Sequence, residues 1–117
     1  SAFLDCTSLS NITFPKNLKE IGCEAFRNCS KLKSVVLGDS LKKIDIFAFS
    51  GCTSLDEIII GENVESFGRY AFTPTAFSNN NANWNEDKLC IGKYLILPTL
   101  TNDGKGNATD PTETQEL

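Results

Sequence analysis

"EAFRNCSKLKSVVL", residues 24–37, returns as "FAFSGCTSLDEIII" at residues 47–60, and "SAFLDCTSLSNITF" at residues 1–14 is a third copy. Ala-Phe pairs stand at Ala2-Phe3, Ala25-Phe26, Ala48-Phe49 and Ala71-Phe72, each 23 residues after the last. Six more columns keep that step: Cys6/Cys29/Cys52, Leu9/Leu32/Leu55, Ile12/Val35/Ile58, Phe14/Leu37/Ile60, Leu18/Leu41/Val64 and Ile21/Ile44/Phe67. A period of about 20–50 residues is the mark of a repeat architecture. One such unit is too small to bury its own apolar side chains. Stacked units bury them as continuous columns.

The local pattern predicts how each unit is built. In Ile12-Thr13-Phe14, Val35-Val36-Leu37 and Ile58-Ile59-Ile60 the outer residues face in and the middle one out, as in a half-buried strand. Copies of such a strand one unit apart pair in parallel at about 4.8 Å. Pro15, Gly38 and Gly61 end these strands at one shared position. Leu18–Gly22, Leu41–Asp45 and Val64–Gly68 predict a second, shorter set of extended pieces. "CEAF" and "IFAF" predict one short helical turn per unit, with Ala allowing close approach and Phe filling the interior, at about 2–3 kcal/mol per buried ring.

After Phe72 the columns fail. The Cys position falls on Thr75, the Leu position on Ser78, and Pro74 interrupts the turn. "SNNNANWNEDK", residues 78–88, is polar and loop-like. "KLCIG" and "KYLILP" around Gly92-Lys93 predict a hairpin that covers the last unit. The expected organisation is therefore repeats over 1–78, a variant repeat or hairpin cap over 79–98, and a flexible tail or linker over 99–117. The chain opens inside a repeat and without Met, so it is read as a piece of something longer.

The pattern "LxxIxIPxxLxxIGxxAFxxCxxL" over residues 1 to about 72 resembles the BspA-like class of bacterial leucine-rich repeats. Gly22 and Gly68 match that class at its Gly column, whereas Asp45 departs from it. Val36 and Ile59 depart too, at a strand position that is often polar. The resemblance implies an α/β repeat fold: a leucine-rich-repeat solenoid with a parallel β-sheet on its concave face and short extended segments and helical turns elsewhere. It also implies a cell-surface or secreted protein that works by adhesion or partner binding rather than catalysis.

Composition narrows the chemistry. A net charge of -4 argues against nucleic acid and against attraction to an anionic membrane surface. No apolar run approaches the roughly 20 residues of a membrane span. The absence of His removes Ser-His and Cys-His catalysis. The five cysteines do not show zinc-ligand spacing, and Cys6, Cys29 and Cys52 read as a buried column of small apolar side chains. "GKGN", residues 104–107, lacks the length and the Ser or Thr of a phosphate loop. "NNNANWNED" offers oxygen ligands without a calcium loop's spacing. Asp56, Glu57 and Glu62 read as a solvated acidic face. Asn11-Ile12-Thr13, Asn28-Cys29-Ser30 and Asn107-Ala108-Thr109 match the glycosylation sequon and, in a bacterial protein, are incidental. No cofactor, no metal and no enzymatic activity are expected.

The outward strand positions are the functional lead. Asn11, Thr13, Ser34, Val36, Glu57 and Ile59 line the outer face of the first sheet. Val36 and Ile59 there are either ordinary isolated exposed residues or part of a contact patch. Three readings follow: a protein-binding module, host or bacterial in its partner; a spacer that holds other domains off the cell surface; and a carbohydrate contact through Trp84, Tyr94 or Tyr70. End-to-end self-association is a further expectation.

Overall fold

The computed structural model describes residues 5–103 and 115–116. Ala2 and Phe3, expected to begin the Ala-Phe columns, lie outside the described residues, as does most of the expected tail.

Three strands of three residues form the first sheet: β1 (Asn11–Thr13), β3 (Ser34–Val36) and β5 (Glu57–Ile59), in the order β1-β3-β5. They pair in parallel with the repeat as register, Ile12 opposite Val35 and Val35 opposite Ile58. The central residue of β3, Val35, is fully buried, and Ile12 and Ile58 on the two flanking strands are half-buried. The shorter pieces β2 (Glu20–Ile21), β4 (Lys43–Ile44) and β6 (Ser66–Phe67) form a second parallel set, turning Ile21, Ile44 and Phe67 inward. Leu41 and Val64, three residues before Ile44 and Phe67, are buried beside them.

The third side of each coil corrects the expected helical turn. Residues 23–31 and 46–54 hold no helix; they are consecutive turns closed by i→i+3 bonds. Ala25 N–H donates to Gly22 O at 3.2 Å, Arg27 to Glu24 O at 3.2 Å, and Cys29 to Phe26 O at 3.3 Å. The residues between these donors bond to the next coil instead: Glu24 to Ile46 O at 3.0 Å, Phe26 to Ala48 O at 2.8 Å, Asn28 to Ser50 O at 2.8 Å. The cause is a left-handed backbone at two columns. Glu24, Phe47 and Tyr70 have φ of 58°, 59° and 57°; Asp5, Asn28 and Gly51 have 60°, 62° and 80°. A residue at positive φ stops a right-handed helix from propagating. The freed N–H groups then pair across coils, as strand amides do. The second column is filled by Asp, Asn and Gly, the residue types that tolerate this backbone.

Stacking these coils piles the Phe rings. Phe26 and Phe49 lie parallel with centroids 5.3 Å apart, and Phe49 and Phe72 follow at 5.2 Å. Phe14 meets Phe26 edge-on at 5.4 Å. In the first coil Cys6, Leu9, Ile12, Phe14 and Leu18 are only partly buried. Phe14 and Leu18, with Pro15, Ile21, Ala25 and Phe26, line an apolar groove of about 220 Å³.

Beyond Phe72 the coil runs on with polar residues in apolar columns. Thr75 pairs with Cys52 in a parallel bridge and is fully buried. Thr75 and Ser78 satisfy one another: Thr75 N–H donates to Ser78 Oγ at 2.9 Å, and Ser78 N–H to Thr75 Oγ1 at 2.9 Å. Thr75 Oγ1 also donates to Phe72 O at 2.7 Å. Two hydroxyls thus enter the core at low cost, because the Thr75 and Ser78 hydroxyls each both donate and accept.

A third, antiparallel sheet follows. A 3₁₀ turn at Asn81–Asn83, capped by Asn80 Oδ1 accepting from Ala82 N–H, leads into β7 (Trp84–Asn85). β8 (Lys88–Ile91) and β9 (Tyr94–Ile96) pair around Gly92-Lys93, with Gly92 at φ 56°, as a two-residue hairpin turn requires at its first position. Leu89, Ile91, Tyr94 and Ile96 join the same core as the coils. Tyr94 packs edge-on against Phe67 at 5.2 Å, and its Oη accepts from Val64 N–H at 3.0 Å. Within the stretch expected to be a tail, β10 (Asn102–Asp103) pairs antiparallel with β6 and β11 (Gln115–Glu116) with β9.

Two stability outcomes follow. Phe49→Ala removes the fully buried middle ring of the stack and lowers unfolding free energy by about 3–5 kcal/mol in urea denaturation. Tyr94→Phe leaves the buried Val64 N–H without its acceptor and costs about 1–3 kcal/mol by the same measurement. A cost no larger than that of an exposed substitution at either position contradicts the packing described.

Candidate functional site

The face of the first sheet turned away from the core carries two rows of side chains, because strand neighbours alternate sides. Asn11, Ser34 and Glu57 form one row across β1, β3 and β5; Thr13, Val36 and Ile59 form the other. All six residues singled out from the sequence therefore share one face. Asn11, Thr13, Val36, Glu57 and Ile59 are exposed and Ser34 is half-exposed. Ser34 Oγ donates to Asn11 Oδ1 at 2.9 Å, which holds two of the polar side chains in one orientation.

Val36 and Ile59 stand directly opposite each other in the β3–β5 register. They are 43% and 51% exposed, the large hydrophobic side chains left open among the described residues. Adjacent, in-register and on neighbouring strands, they make one small apolar patch instead of two scattered exposures. Such a pair gains from being covered at about 25 cal/mol per Å² of apolar area removed from water.

A second exterior column was not anticipated from sequence. Phe47 and Tyr70 occupy the first left-handed column and stack with parallel rings 5.5 Å apart. The Arg27 guanidinium lies 4.4 Å over the Phe47 ring and pairs with the Glu24 carboxylate. Its signal was the shared 23-residue step of positions 24, 47 and 70, hidden because the three residue types differ. These rings are half-buried and cover one another's faces.

The aromatic residues considered for sugar stacking divide in the same way. Tyr94 is 2% exposed with its hydroxyl engaged at Val64, so it has no face to offer; this corrects its inclusion. It is the last inward ring of the core, which its place in "KYLILP" did not disclose. Trp84 is half-buried, packs against the core, and donates its indole N–H to Ser78 O at 2.7 Å.

All five cysteines are free thiols. Cys29 and Cys52 are fully buried in the expected column, Cys6 is half-buried, and Cys23 is exposed. Cys52 Sγ–H donates to Phe26 O at 3.0 Å. Burial pushes the Cys52 thiol up to about 12 and raises that of Cys29, because a thiolate there has lost its water. No group of three or more His, Cys, Asp or Glu side chains suited to a metal ion occurs among the described residues. No helix among them is long and apolar enough to cross a membrane.

The family described as BspA type Leucine rich repeat region matches residues 1–95 in 6 copies. The match runs past Phe72 and into the hairpin, as far as Leu95. No curated protein matches significantly. The crystal structure of a leucine-rich repeat protein from Bacteroides ovatus is similar, with a TM-score of 0.61 and 39% identity. The similarity covers 63% of this chain and 19% of that one, so this chain spans under a fifth of that protein's length.

Thiol chemistry checks the core. At pH 8 in native conditions a soluble aromatic disulfide reagent modifies Cys23 rapidly and leaves Cys52 unmodified, while all five thiols react in denaturant. Because the folded Cys52 thiol titrates near 12 and the unfolded one near 9, its contribution is intact below pH 9. Stability then falls as pH rises from 9 towards 12, by about 1.4 kcal/mol per unit from this group. Cys52→Val flattens that alkaline slope; a slope that persists unchanged would contradict the burial of Cys52.

Proposed function

We propose a protein-binding role for this chain on one premise: it belongs to the BspA-type leucine-rich repeat family. The observation that supports it is the apolar pair Val36 and Ile59, exposed side by side on an ordered sheet face. In this reading the stacked coils form a solenoid, the first sheet is its concave surface, and residues 79–98 cover one end of it. Asn11, Thr13, Ser34, Val36, Glu57 and Ile59 make the contact. Recognition is passive: a rigid surface presents a small apolar centre with polar groups beside it, the arrangement common at protein contacts. Catalysis has no part in it. The protein of origin is bacterial and works at the cell surface or outside the cell, in adhesion.

The test uses a library of protein fragments displayed on phage and selected against the immobilised chain. Binders are expected, and the double change Val36→Asp/Ile59→Asp is expected to weaken them at least tenfold, or about 1.4 kcal/mol. The melting temperature should hold, since both side chains are exposed. A spacer yields no binders above a blank surface. A carbohydrate-contacting module loses binding in Trp84→Ala and keeps it in the double change.

A further inference from the structure

The charge on the Ile59 side of the apolar pair is one-sided. Between Lys43 and Arg69 the chain carries five carboxylates, Asp45, Asp56, Glu57, Glu62 and Glu65, and no Lys or Arg. The two coils before it carry six lysines, from Lys16 to Lys43. Ile59 and Glu57 belong to the carboxylate-only stretch, on the same face of β5 and two residues apart. Glu57 sits opposite Ser34, whose hydroxyl is already committed to Asn11. Among the described residues no cation lies within 4.0 Å of the Asp56, Glu57 or Glu62 carboxylates. Lys33 is joined to this stretch through its backbone, its carbonyl accepting from Asp56 N–H at 3.1 Å and from Glu57 N–H at 3.3 Å, yet it forms no such pair.

From this arrangement we infer that the occupant of the sheet face is a protein segment that carries an apolar side chain next to a lysine or arginine. The apolar side chain covers Val36 and Ile59, and its neighbouring cation meets Glu57. The inference rests on the protein-binding reading above and adds the partner's chemistry to it. The physical case is complementarity. Covering Ile59 with a neutral or acidic segment strips water from the Glu57 carboxylate and returns nothing, whereas a cation replaces that water. An acidic segment meets the exposed Glu57 and is repelled.

A random dodecapeptide library displayed on phage, selected against the immobilised chain, reads this directly. Enriched peptides should carry Lys or Arg within a few residues of Leu, Ile, Val or Phe. One of them, synthesised, should bind at least tenfold more weakly to Glu57→Lys and to Ile59→Asp. Its binding should also weaken as salt rises from about 50 to about 500 mM, because the exposed charge pair is screened. Selection repeated on Glu57→Lys should enrich acidic peptides instead. Peptides that depend on Ile59 and ignore both Glu57→Lys and salt overturn this inference and leave the sheet-face reading standing. An enriched set rich in Asp and Glu does the same. Peptides indifferent to Ile59→Asp, or no enrichment over a blank surface, overturn both.

Discussion

No single coil of this protein can hide its own apolar residues, and that constraint shapes everything else. A coil of 23 residues has almost no interior, so Phe49 reaches full burial only because Phe26 lies on one side of it and Phe72 on the other. The same requirement keeps the register strict. A shift of one residue between coils would move Val35 from the core to the surface and Val36 the other way. Backbone pairing enforces the register on all three sides: two sets of parallel strands, and a set of turns whose alternate N–H groups donate to the next coil.

The residues after Phe72 depart from the coil pattern in two steps. Thr75 and Ser78 first let the coil run on with hydroxyls where thiol and leucine stood, each answered by the other. The hairpin of β8 and β9 then lays apolar side chains over the third coil, with Tyr94 giving Val64 N–H the acceptor it needs there. The coils' core residues and those of the hairpin form one cluster, against which Ile12 and Ile58 of the first sheet pack. Val36 and Ile59 are carried by strands whose opposite face packs against the core.

Most of the fold was legible because its signal was repetition. Seven columns in step place the strands, their inward residues and their pairing partners with no further information. The outward rows were legible for the same reason, since alternation follows from the strand. The third side was not. "CEAF" and "IFAF" have local helix-compatible composition, yet the backbone there alternates between left-handed residues and cross-coil hydrogen bonds. Asp5, Asn28 and Gly51 were a visible hint in hindsight; Glu24, Phe47 and Tyr70 were not, because nothing in those side chains asks for positive φ. Tertiary pairing between coils overrode the local preference.

By itself the sequence determined the period, the core columns of the repeating coils and the face on which each residue of the first sheet's strands lies, because all three follow from apolar residues recurring in fixed step. Tertiary structure alone decided how exposed Val36 and Ile59 are, that Tyr94 turns inward while Trp84 stays at the rim, and that Phe47, Tyr70 and Arg27 meet outside the core. Those outcomes depend on what lies one coil away, and a side chain's neighbours in space are set by the stack, not by the residues beside it in the chain.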